Sequence, residues 1–114
     1  MTTPRMLRVN SILREVLAEE VEKLSDTRLE LVSITGVDTA PNLRKAVVFV
    51  DALAEDKDGV LEALRAAGPR LQRAIGREVR IKYTPVLEFE IDSGVVAGER
   101  IEQILRDLQP GEEE

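Results

Sequence analysis

Apolar residues recur every three or four positions near the start of the chain, at Val9, Ile12, Leu13, Val16, Leu17, Val21 and Leu24. That spacing predicts a helix over 5–24 with one buried stripe. Thr3-Pro4 ahead of it offers a capping hydroxyl, then a proline that needs no amide donor. Glu20 lies close to the stripe, so the face is not cleanly apolar, and Ser25-Asp26-Thr27 ends the helix. Two strands are predicted next: a short β-branched one at Leu31–Val37, and Ala46–Leu53, whose nearly continuous apolar run fits burial on both faces. Asp38-Thr39-Ala40-Pro41-Asn42-Leu43 between them is rich in turn formers, which makes the pair a hairpin.

The polar stretch Glu55-Asp56-Lys57-Asp58-Gly59 opens a helix from about Val60 to Ala67. Gly68-Pro69 interrupts it, and a second helix is predicted from Pro69 to Glu78. From Val79 to Ile91 every odd position is apolar, including Tyr83, Pro85, Leu87 and Phe89; the even positions are polar except Val86. Period 2 predicts a third strand, with Pro85 at an edge or a bend. A short helix over 98–108 precedes the acidic tail 110–114, which is expected to be disordered. The order is α-β-β-α-α-β-α, a single domain over 1–109. Three strands with helices on one face give an α+β two-layer architecture.

Composition narrows the chemistry. Of 114 residues, 43% are hydrophobic and 33% charged, which fits one folded domain rather than a disordered chain. There is no cysteine and no histidine, which removes disulfides, thiolate chemistry, imidazole catalysis and the commonest metal ligands. Asp56-Lys57-Asp58-Gly59 lacks the later acidic ligands of a calcium loop, so capping by Asp56 or Asp58 is expected. No Walker A, GxGxxG or diagnostic carboxylate pair occurs. The expectation is a non-enzyme without metal or cofactor. The first residues lack the apolar core of a leader and no run approaches a membrane span, so a cytoplasmic protein is expected.

The net charge of −6 speaks against coating nucleic acid through bulk charge. Its distribution changes that. Residues 65–84 hold Arg65, Arg70, Arg73, Arg77, Arg80 and Lys82 against Glu78 alone, a balance of +5, whereas residues 85–114 hold nine acids and two arginines, a balance of −7. Arg70, Arg73 and Arg77 share one helix face within roughly 60°, and Arg80 and Lys82 continue on the polar side of the predicted third strand. Such a face can grip phosphates bidentately; the plain alternative is an ordinary solvated helix surface. Arg5 and Arg8 are further candidates. Phe49, Tyr83 and Phe89 are expected in the core, leaving no aromatic for a stacking platform.

Several stretches closely resemble the ribosome-binding factor A family. They are Asp26-Thr27-Arg28-Leu29, Val37 to Leu43 followed by Lys45–Val50, Ala66-Ala67-Gly68, Val79-Arg80-Ile81-Lys82 with Pro85–Phe89, and Asp92-Ser93 with Gly98–Ile101. The resemblance runs from about Arg5 to Leu108. Thr27 stands where the family has proline, and Asn42 where aspartate is common. The resemblance implies a type II KH-like fold in which a kink at Ala66, Ala67 and Gly68 replaces the Gly-x-x-Gly loop. It implies a monomeric factor that binds the small (30S) subunit and its 16S rRNA in late maturation. It further implies a part in 5′-end processing, greatest importance in the cold, and release helped by a ribosome-associated GTPase. The alternatives are a KH-like protein–protein adaptor docking through its acidic C-terminal third, and a generic single-strand nucleic-acid binder, which the absent Gly-x-x-Gly disfavours.

Overall fold

The computed structural model describes residues 3–92. They form α1 (Pro4–Glu22), β1 (Val32–Thr39), β2 (Lys45–Ala52), α2 (Lys57–Glu78) and β3 (Val86–Ile91), with a 3-10 turn at Thr27–Leu29 before β1. The expected helix at 98–108 and the tail lie outside the described residues.

Both helix starts are set by local chemistry. The Thr3 hydroxyl accepts from the Met6 N–H at 3.2 Å, with Pro4 in the first helical position. Asp56, not Asp58, caps α2, accepting from the Gly59 N–H at 2.9 Å. The 3-10 turn starts likewise on Asp26, which accepts from the Arg28 N–H at 2.9 Å.

The sheet order is β1-β2-β3, with β1 antiparallel and β3 parallel to β2. The hairpin expectation holds, and β2 is the central strand, which accounts for its apolar run. Ala46, Val48, Val50 and Ala52 face the helices and are fully or nearly buried. Phe49 is also buried, on the other side of the sheet and outside the main core cluster. In β1 a bulge at Thr35 shifts the register, so that Ile34 and Val37 both reach the helix side three residues apart. Leu13, Leu17 and Val21 of α1 close the core with Val60, Leu64, Leu71 and Ile75 of α2 and Phe89 of β3. Both described helices cover one face, as the two-layer reading expects.

Two expectations are corrected. The break at Gly68-Pro69 does not occur: residues 57–78 are one helix with Pro69 inside it. The reason is phase. Val60, Leu64, Leu71 and Ile75 are all buried on one stripe that continues across the Gly-Pro pair. Pro69 removes one backbone bond, but both it and Arg65, four residues before it, lie on the exposed side of the helix. Ala66, Ala67 and Gly68 are therefore interior helical residues.

The third strand is also shorter than its alternation predicts, beginning at Val86 rather than Val79. The first rung of the parallel ladder is Lys45 with Val86. Before Lys45 the chain is already turning, with the Ala40 N–H donating to the Lys45 carbonyl at 2.8 Å. Residues 79–85 therefore have no extended partner. They keep the in–out alternation, with Val79 and Ile81 packed against the core and Arg80 and Lys82 exposed, but form an irregular connection. Pro85 is fully buried, and its carbonyl accepts from Gln72 Nε2 at 3.0 Å.

A continuous helix through residue 68 has a direct test. Gly68 lies outside the left-handed region, and a Cβ there would meet nothing within 4 Å. Gly68→Ala is expected to stabilise by about 0.5–1 kcal/mol, raising the melting temperature by a few degrees in a thermal scan. A lowered melting temperature would contradict helical geometry at this position.

Candidate nucleic-acid interface

The arginine face of α2 exists, and a carboxylate organises part of it. Glu20, on the inner side of α1, has a side chain only 6% exposed. Its Oε2 accepts from Arg70 Nε at 3.0 Å, and its Oε1 lies 3.8 Å from Arg77 Nη2 and 3.6 Å from Lys23 Nζ. The unclean stripe of α1 is thereby explained: the acid belongs on the buried side because basic groups from both helices surround it. The Arg70 hydrogen bond, aided by Lys23, holds the Glu20 carboxyl below the usual range, against the opposing pull of desolvation. Arg77 also approaches Glu78 at 3.7 Å. Arg73, between them in sequence, is exposed and has no carboxylate partner among the described residues. Arg70 is thus partly neutralised and directed by a hydrogen bond, Arg77 only lies near the same carboxylate, and Arg73 is unpaired among the described residues.

The remaining candidates divide by position. Arg80 and Lys82 are exposed on the irregular connection rather than on a strand. Arg65 lies beside β3, where it lines a recess of about 330 Å³ with Leu87, Glu88, Phe89 and Glu90. That acidic surrounding sets it apart from the arginine face. Arg5 and Arg8 occupy the first turns of α1, exposed. At about 1.5 Å per residue Arg5 is roughly 22 Å along the helix from Glu20. Asn10 of the same helix accepts from the Thr39 N–H at 3.0 Å, so this end of α1 sits beside the hairpin turn.

The hairpin turn contributes a cation the charge segmentation missed. The Arg44 guanidinium lies 3.9 Å from the centroid of the Tyr83 ring, and Lys82 Nζ lies 5.5 Å from it, both within cation–π range. Tyr83 is therefore not core as expected; it is half-buried beneath Arg44. Phe49 and Phe89 are buried as expected. Arg44, with Lys45 next to it, lies outside residues 65–84 in sequence, and only the pairing of β2 with β3 brings it to Tyr83. The described surface thus offers planar and point cations for phosphate. Among the described residues no group of three acids is placed to hold a metal ion, and no helix is long and apolar enough to cross a membrane.

Residues 5–105 match the family model described as ribosome-binding factor A. A ribosome-binding factor A from Rubrobacter xylanophilus is 41% identical over 110 residues, covering 95% of this chain and 90% of its own. The crystal structure of ribosome-binding factor A from Thermus thermophilus superposes with a TM-score of 0.72 at 35% identity, covering 75% of this chain and 94% of that one. A homology model of the Thermus thermophilus factor, fitted into the cryo-EM map of a 30S complex, gives a TM-score of 0.63 at 37% identity, covering 71% and 88%. The architecture is KH-like, as the resemblance implied.

The buried carboxylate predicts a pH dependence with a definite sign. A group whose folded-state pKa is lowered adds stability that is complete above its unfolded value, near pH 4.3 for glutamate, and is lost as pH falls through the folded value. Glu20→Gln is expected to be less stable than the parent at pH 6. In urea unfolding the gap should narrow progressively below about pH 4. A gap that stays constant down to pH 2 would show that the charge of Glu20 contributes nothing.

Proposed function

The chain belongs to the ribosome-binding factor A family, and we propose from that premise that it is a non-catalytic small-subunit assembly factor. On this reading it binds the 30S subunit and its 16S rRNA in late maturation and assists processing of the RNA 5′ end. It acts as a cytoplasmic monomer, matters most in the cold, and is released with the help of a ribosome-associated GTPase. The Thermus thermophilus factor fitted into a 30S complex supports the choice of partner.

The single observation that carries the reading is the arginine face of α2, with Arg73 unpaired among the described residues, Arg70 oriented by Glu20 and Arg77 close beside it. A guanidinium held in a fixed direction, as Arg70 is, suits a fixed phosphate of a folded RNA, because less side-chain freedom remains to be lost on binding. The continuity of α2 favours a dedicated surface over a general KH one. A KH domain clamps single strands with a Gly-x-x-Gly loop between two helices, and residues 57–78 leave no loop there. The acid of β3 that no cation pairs among the described residues, Glu90, supports the same reading: it disfavours RNA on that side and limits the ways of docking, whereas Glu88 is paired with Lys45.

The test is co-sedimentation with purified small subunits across a salt series. Arg73→Glu with Arg80→Glu leaves the Glu20 cluster intact. The double variant is expected to bind at least tenfold more weakly, with a log–log salt slope smaller by about two contacts. A folded variant that pellets as well as the parent at every salt concentration would remove this face from the interface.

A further inference from the structure

Arg44 sits on a pinned stretch of backbone at the turn end of the sheet. Its N–H donates to Asn42 Oδ1 at 3.0 Å, and its carbonyl accepts from the Val86 N–H at 3.0 Å. The residue before it, Leu43, has φ 64°, in the left-handed region that a branched side chain avoids. Surroundings must over-determine such a conformation for it to persist. Here the Leu43 N–H donates to the Ala40 carbonyl at 2.8 Å, inside the turn closed by Ala40 and Lys45. The ring below is held as well. Gln72 ties down the Pro85 carbonyl, and Thr84 rests close against Gly76, where an added Cβ would come within 3.4 Å of its hydroxyl.

The outcome is a layered arrangement. Tyr83 is half-buried, and Arg44 above it is exposed. No carboxylate pairs with Arg44, Lys82 or Arg80 among the described residues. A guanidinium centred 3.9 Å over one aromatic ring has a second face, and exposed guanidinium faces stack on π surfaces. Unpaired bases of RNA are recognised by stacking on aromatic rings and on guanidinium planes.

We propose that Arg44, backed by Tyr83, is the stacking platform for one unpaired RNA base, with Lys82 and Arg80 on the flanking phosphates. This rests on the small-subunit reading and adds to it a base contact that the phosphate-binding face of α2 lacks. Charge alone does not explain the arrangement, since a lysine on a flexible stem would supply the same charge without a strained turn or a supporting ring.

The experiment measures small-subunit binding of the full chain with Arg44→Lys, Arg44→Ala, Tyr83→Phe and Tyr83→Leu, each checked by thermal melting. Lysine keeps the charge and loses the plane, so Arg44→Lys is expected to bind about tenfold more weakly, nearly as weakly as Arg44→Ala. Tyr83→Phe keeps the ring and should bind like the parent, while Tyr83→Leu should fall to the level of Arg44→Lys. Parent-like binding by Arg44→Lys, or by folded Tyr83→Leu, would overturn the stacking site while leaving the small-subunit reading in place. If Tyr83→Leu does not fold, the Arg44 pair decides alone. A parent protein that fails to sediment with small subunits even at low salt would remove the reading itself, and this site with it.

Discussion

The parallel pairing of β2 with β3 is the constraint from which most of the structure follows. Parallel neighbours cannot be joined by a tight turn, so the chain must travel back the full length of the sheet before β3 begins. Helix α2 makes that journey in 22 residues, roughly 33 Å at the usual rise. A helix that must span the sheet and bury one stripe along its whole length cannot break in the middle without losing half its packing. Gly68 and Pro69 are carried through on the exposed side for that reason. The same crossover delivers residues 79–85 to the hairpin turn, where Tyr83 meets Arg44.

The second organising element is electrostatic. Glu20 is nearly buried, and a buried carboxylate is tolerated only with charged and hydrogen-bonding partners. Arg70 of α2, with Arg77 and Lys23 nearby, supplies them. The seam between the helices is thereby fixed by a group that also directs Arg70 and lies beside Arg77, two members of the arginine face. Packing and the arginine face share the same side chains. By contrast the exposed pair Lys45–Glu88, at 2.8 Å with both side chains about half exposed, adds little to either.

Much of this was legible in the sequence, and the places where it was not are informative. The stripe of α1, the hairpin, the central strand and the arginine spacing of α2 were all readable, since each depends on neighbours in the chain. The helix break was misread because Gly-Pro is a strong local stop signal, and only the packed stripe on both sides overrides it. The long third strand was misread because alternation records which side chains point inward, and an irregular segment packed on a core alternates as well. Glu20 was visible as an anomaly of the stripe, but its partners lie some 50 residues away.

The sequence by itself determined the class of fold, most of the buried positions (Ile12 and Leu53, apolar by pattern, are exposed) and the sign of charge along each segment. These follow from periodicity and composition, which are properties of short stretches. Tertiary structure alone decided which cations stand free and which are engaged. Arg70 and Arg77 are drawn toward a carboxylate on another helix, Arg65 faces the acids of β3, and Arg73 has no partner among the described residues. It also decided that Tyr83, apolar by pattern, lies at the surface under Arg44. Such pairings depend on distances between elements remote in sequence, and those distances are set only once the strands have chosen their order and direction.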